Sequence, residues 1–375
     1  MKKTIWGLIV IVAIILIVWV VSNGTSKQAT GEPVKVGVIL PLSGLATEYG
    51  EDSRLGIETA LEDMKTKYPG LNLQLFYEDS FFTPKGGVDA YKKLREVNGV
   101  DIIISGAGQI SSPVRPLAEQ DGVLQVGVWT STLSYSTPPH KTSYRTTLLP
   151  QDYLPTVVNY FTEKQLSKVA VLYVQNEFGI SYFETFKNLL NNSDTLSLVS
   201  SDTFANDAND FRTQLAKIKV SQPDVIFYVG TAPQFVNVLK QAKELSLPAK
   251  MFSFGSIENQ IVIASGGSLA EGVEYAAHFD GTQQESKGLV AKIKERYNKI
   301  PNQNTAESYL GLELIAYAVS SCEEKSLVCW KDKLDSIKDL PTVMGKANID
   351  ANGNIKVGGI YLKTIKNGQF VKMEN

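Results

Sequence analysis

The apolar residues of this chain fall into two alternating patterns. Val34–Leu40 (VKVGVIL) is a continuous β-branched run bounded by Pro33 and Pro41, as expected of a strand buried on both faces of a parallel sheet. Ile57, Ala60, Leu61, Met64 and Tyr68 then fall at helical spacing, and Pro69-Gly70 ends that helix. The alternation continues with strands at 71–77, 101–105 and 123–128. Helices are expected from Pro84 to about Val97 and over 112–120. It then restarts. A helix over 152–166 precedes the strand Lys168–Val174, followed by helices at 179–190 and 207–219. A strand at 224–229, a helix opening at Pro233 and a strand Lys250–Phe254 complete this half. The pattern predicts an α/β protein of two doubly wound lobes. Residues 304–321 are apolar nearly all round and predict a buried helix. Residues 345–371 carry Asn352-Gly353 and Asn367-Gly368 between short β-branched runs and predict hairpins.

The N-terminus reads differently. Met1-Lys2-Lys3-Thr4 is a basic stub, residues 5–21 are apolar with Trp6 and Trp19 near the ends, and residues 22–33 are a polar linker. The apolar run matches the roughly 17–25 residues that span a bilayer better than a signal-peptide core. No A-x-A site and no lipid-accepting cysteine follow it. The expectation is an uncleaved signal-anchor, with the lysines inside and the rest of the chain extracytoplasmic. The alternative is a secreted or periplasmic chain after cleavage.

Length and composition narrow the chemistry. The chain has 375 residues, 43% of them hydrophobic, enough for two domains with full cores. Lys plus Arg is 37 and Asp plus Glu is 39, scattered along the chain, so no nucleic-acid partner is expected. Cys322 and Cys329 are the two cysteines, and in an exported chain they read as a local disulfide. No metal site is expected: there is no CxxC and no HExxH. No cofactor is expected either. Gly106-Ala107-Gly108 lacks the third glycine of a dinucleotide fingerprint, and there is no Walker A motif. Without a G-x-S-x-G, and with only His140 in a Pro-Pro-His-Lys loop and His278 at a surface or hinge position, catalysis is not expected.

Ligands of open α/β sheets collect outside the carboxyl ends of the strands. Those ends carry Gly, Ser and Thr with interleaved aromatics, giving short hydroxyls and apolar walls suited to a small molecule. Tyr49, Trp129, Tyr135 and Phe178 are the aromatics there. Thr231 and Ser256 stand among the hydroxyls of the second half.

Several fragments, in this order, resemble the type I periplasmic binding proteins of the branched-chain amino acid class. They are Val36-Gly37-Val38-Ile39-Leu40-Pro41-Leu42-Ser43-Gly44, Tyr77-Glu78-Asp79-Ser80, Tyr144-Arg145-Thr146, Glu177-Phe178-Gly179 and Glu271-Gly272-Val273. The likeness runs over residues 34–371. It implies two lobes joined by three crossovers, near 144–147, 272–279 and 343–347. Lobe 1 would then comprise 34–145 with 278–344, and lobe 2 would comprise 146–277 with 345–375. It also implies capture of a small solute for the permease of an ABC transporter, the alternative being a sensor ectodomain on the same fold. By resemblance the ligand-binding positions fall on Tyr49, on Gly108, Gln109 and Ser111, on Trp129, Thr130 and Ser131, and on Phe178. Two positions depart from the family. Trp129 replaces a small residue, which implies a smaller pocket or one suited to stacking on a ring. The acid that takes an amino acid's ammonium falls near Gly255 or Ser256, neither charged, with Glu258 as the nearest substitute.

Overall fold

The computed structural model describes residues 32–136 and 141–374, so the expected anchor within residues 1–31, and His140, lie outside the described residues. The first lobe is built on β1 (Val34–Leu40), α1 (Thr47–Lys67), β2 (Leu73–Asp79), α2 (Pro84–Lys93), β3 (Ile102–Gly106), α3 (Gly108–Gln120), β4 (Leu124–Val128) and β5 (Ser143–Arg145). Its five strands are parallel in the order β2-β1-β3-β4-β5. The sheet reverses direction of growth between β1 and β3, the point at which an open sheet leaves a crevice.

The second lobe repeats the plan with α4 (Pro150–Glu163), β6 (Lys168–Val174), α5 (Glu177–Asn191), β7 (Ser197–Phe204), α6 (Arg212–Val220), β8 (Val225–Val229), α7 (Ala232–Glu244), β9 (Lys250–Phe254), α8 (Gln260–Gly266) and β10 (Glu274–Ala277). The chain then returns to the first lobe through α9 (Lys287–Tyr297), α10 (Gln303–Ser320) and α11 (Leu327–Asp335). A small sheet of β11 (Leu340–Thr342), β12 (Gly345–Ile349) and β13 (Ile355–Lys356) follows. The hairpin of β14 (Tyr361–Lys366) and β15 (Gln369–Lys372) completes the second sheet, whose order is β15-β14-β10-β9-β8-β6-β7.

The third passage between lobes lies further along than expected. Residues 345–357 were expected in lobe 2, yet Ala347, Ile355 and Val357 are buried in one cluster with Val36, Val38 and Leu312 of the first lobe. Burying those apolar side chains holds β12 and β13 on the first lobe, and the chain rejoins the second sheet only at β14. The other two passages follow β5 and β10.

Helix α10 is buried on nearly every side. Its first turn lies against α1 at Gly56, where a Cβ would stand 2.1 Å from the Thr305 carbonyl oxygen. Only glycine permits that approach, and the approach brings residues 303 and 304 beside the cleft. Just beyond its far end, Cys322 is bonded to Cys329 of α11. A Cys322→Ser/Cys329→Ser variant is expected to lose at most about 2–3 kcal/mol in urea unfolding, because the closed loop is short.

Candidate functional site

The strands of both sheets point their carboxyl ends at one cavity. The centre of a water molecule reaches about 110 Å³ of it, room for several waters and hence for a small organic molecule.

One wall is aromatic and comes from the first lobe. The Trp129 ring lies between Tyr49, with centroids 5.9 Å apart and planes at 26°, and Phe82, at 6.4 Å and 21°. Trp129 Nε1 donates to Ser53 Oγ at 2.9 Å, which fixes the ring's direction. Gly106 leaves space for it, since a Cβ there would stand 2.7 Å from the indole. The facing wall comes from the second lobe, where Phe178, Tyr182 and Phe254 pack with centroids 5.0–5.4 Å apart. Such offset and tilted pairs are the favoured aromatic geometry.

Tyr49 joins the lobes. Its hydroxyl accepts from the Ala232 N–H at the start of α7, at 2.8 Å, and donates to the Ser256 carbonyl at 3.0 Å. Burial pushes the phenol well above its ordinary pKa, so it stays protonated and able to donate.

The polar part of the lining carries no charged side chain among the described residues. Three of its hydroxyls have their protons committed elsewhere. Ser256 Oγ donates to the Gly230 carbonyl at 2.8 Å, and Thr231 Oγ1 to Gln234 Oε1 at 2.9 Å. Thr147 Oγ1 donates to Glu307 Oε2. Gln303 Nε2 donates to Glu307 Oε1 at 2.8 Å, and Gln303 Oε1 accepts from the His278 N–H at 3.2 Å. Glu307 itself is fully buried behind this wall, with His278 Nε2 at 2.8 Å from its Oε1.

Of the positions expected to bind ligand, Tyr49, Gly108, Gln109, Trp129, Ser131, Phe178, Thr231 and Ser256 line this one cavity. Ser111, Thr130 and Glu258 do not. Ser111 and Thr130 are buried behind the lining, where their hydroxyls lie 2.9 Å apart and bond the Ser105 and Val128 carbonyls. Glu258 is turned away and held in a buried ion pair with Lys363 of β14. Burial raises its pKa despite that partner. It is therefore no substitute for an ammonium-binding acid. His278, expected at the surface or a hinge, is buried against Glu307 at the second passage. Among the described residues no cluster of His, Cys, Asp and Glu is suited to a metal ion.

Sequence reading missed Phe82, Tyr182 and Phe254 of the walls, and Thr147, Gln303 and Asn304 of the polar lining. Thr147 stands on a passage between lobes, and Gln303 and Asn304 on the first turn of a helix that starts 156 residues beyond it, so no strand-end rule selects them.

Residues 33–369 match the family model described as periplasmic binding protein. The Leu/Ile/Val-binding protein of Escherichia coli (strain K12) is 24% identical over 337 residues, covering 88% of this chain and 90% of that one. A crystal structure of a leucine-binding protein from Thermotoga maritima superposes with a TM-score of 0.84 at 21% identity, over 91% of this chain and 98% of that one. The solute-binding protein of an R. palustris ABC transporter, in complex with 4-hydroxybenzoate, superposes with a TM-score of 0.83 at 20% identity, over 92% and 96%. The expected two-lobed α/β fold is therefore that of known binding proteins, and the chain belongs to the periplasmic binding protein family, in its type I, branched-chain amino acid class.

Proposed function

We propose that this protein captures a small organic solute, an amino acid or a related carboxylate or amide, between its two lobes outside the cytoplasm. It presents the solute to the permease of an ABC transporter and catalyses no reaction. The observation that carries this reading is a cavity walled by Tyr49, Trp129 and Phe82 from one lobe and by Phe178, Tyr182 and Phe254 from the other. A solute touching both walls favours the form in which the lobes meet. Tyr49, Gly108, Gln109, Trp129, Ser131, Phe178, Thr231 and Ser256 are its proposed contacts. The relatives named for Leu/Ile/Val binding and the neighbour holding 4-hydroxybenzoate support both branches of the solute class. Residues 5–21 tether the chain to the membrane, a reading that rests on the length of that apolar run.

A thermal-shift panel of amino acids, aromatic acids and amides on the full chain tests the capture. A solute bound only by the native state raises the melting temperature, and a panel without any shift counts against the reading. Membrane fractionation with intact-mass analysis tests the tether, and a mature chain starting beyond residue 21 overturns it.

Tyr49→Phe is expected to weaken the captured solute about tenfold. It strands the Ala232 N–H and the Ser256 carbonyl in the form where the lobes meet, at a cost of about 1–3 kcal/mol. Calorimetry on parent and variant checks this, with unchanged affinity removing Tyr49 from closure.

A further inference from the structure

Among the described residues, one polar side chain of the cavity lining has no hydrogen bond to the protein. Asn304 is 7% exposed and lines the cavity from the first turn of α10. Its carboxamide makes no hydrogen bond to any described residue. Neither of its amide atoms is among the side-chain polar atoms sealed away from solvent, so both reach the open space of the cavity. An amide whose polar atoms face only the cavity takes its hydrogen bonds from whatever fills that cavity, water or ligand.

The neighbouring groups narrow what such a ligand carries. The protons of Ser256, Thr231 and Thr147 are already given to protein acceptors, so these hydroxyls offer only lone pairs to the cavity. Gln109 donates one Nε2 proton to the Phe82 carbonyl at 2.7 Å, which leaves its Oε1 as an acceptor and a second N–H as a donor. The Trp129 N–H is committed to Ser53. Among the described residues no basic side chain lines the cavity to neutralise a carboxylate, and no acid lines it to neutralise an ammonium. Glu258, the nearest candidate, is held by Lys363.

Resting on the solute-capture reading, we propose that Asn304 is the specificity-determining residue and that the solute is uncharged, a primary carboxamide on a flat apolar body. The ligand's C=O accepts from Asn304 Nδ2. Its N–H groups donate to Asn304 Oδ1 and the surrounding hydroxyl lone pairs. Its flat part lies against the aromatic walls of the cavity.

Calorimetry on the full chain with benzamide, benzoate and benzylamine tests this, since the three share a ring and differ in the polar group. Benzamide is expected to bind at least tenfold tighter than either charged analogue. Asn304→Leu, close in volume, is expected to weaken benzamide about tenfold with little change for benzoate. Asn304→Asp serves as the second variant, because an acid in the first turn of a helix is well tolerated. It is expected to lose benzamide and to gain benzylamine by tenfold or more. Benzoate or benzylamine binding tighter than benzamide to the parent overturns the proposal, as does an Asn304→Leu affinity within twofold of the parent. Binding of none of the three also overturns it. A melting-temperature rise with leucine or another panel solute would then leave solute capture standing while this ligand class falls.

Discussion

Lys363→Met lowers the stability of the folded chain by about 3–5 kcal/mol at neutral pH, the usual cost of removing one partner of a buried ion pair. The side chains of Lys363 and Glu258 are 6% and 7% exposed, and the pair ties β14 to the segment that follows β9. The lysine also lies over the Tyr275 ring, 5.9 Å from its centroid. Without the ammonium, the carboxylate of Glu258 keeps its desolvation cost and loses its main compensation. Burial already raises the pKa of Glu258, with Lys363 opposing that rise. In the variant the opposition is gone and the folded pKa climbs further. An acid whose folded pKa lies above its unfolded value binds its proton more tightly when folded. Stability is then greatest below the unfolded value of about 4.3 and is lost as pH rises through the folded one. Urea unfolding should therefore show the deficit of Lys363→Met narrowing toward pH 4. A Glu258→Leu/Lys363→Met double variant should recover much of it at pH 7, because two apolar side chains carry no desolvation cost. A single variant as stable as the parent at pH 7 would mean that the pair is solvated in solution.

Much of the fold was legible because most strands are buried on both faces. The runs in β1, β6 and β8 are continuous and apolar, and nothing but a central strand suits them. Strand β7 was not read, and its sequence SLVSSDTF shows why. It is an edge strand paired only with β6, so half of it needs no apolar side chain. The hairpin residues 345–357 were placed on the wrong lobe because a β-branched run announces burial without saying in which core. The site divides in the same way. Tyr49, Trp129 and Phe178 stand near the strand ends, where topology alone predicts a cleft. Asn304, Gln303 and Thr147 reach the cavity through packing, above all the close approach of α10 to α1 at Gly56. Glu258 was misread because its partner lies 105 residues away, and no local pattern announces a pair at that separation.

Glu307→Leu is expected to destabilise the chain by about 3 kcal/mol or more and to weaken solute binding by over tenfold. Glu307 is fully buried on α10 and receives Thr147 Oγ1 and Gln303 Nε2, with His278 Nε2 at 2.8 Å. Leucine fills the space but accepts nothing, so the Thr147 hydroxyl and the Gln303 amide are left unsatisfied at about 1–3 kcal/mol each, less whatever relaxation recovers. The location makes the effect more than local. Thr147 lies on the first passage between the lobes and His278 on the second, and Glu307, on a helix of the first lobe, bonds Thr147 and lies 2.8 Å from His278 Nε2. Removing it frees both passages and the two lining side chains, Thr147 and Gln303, that it orients. Glu307→Gln keeps the shape and one acceptor oxygen while turning an N–H toward a donor, so it should fall between leucine and the parent in both measurements. Urea unfolding and calorimetry on the same preparations separate the two roles. A Glu307→Gln chain with parental stability and weakened binding assigns Glu307 to positioning the lining, whereas loss of stability with unchanged affinity confines it to the frame.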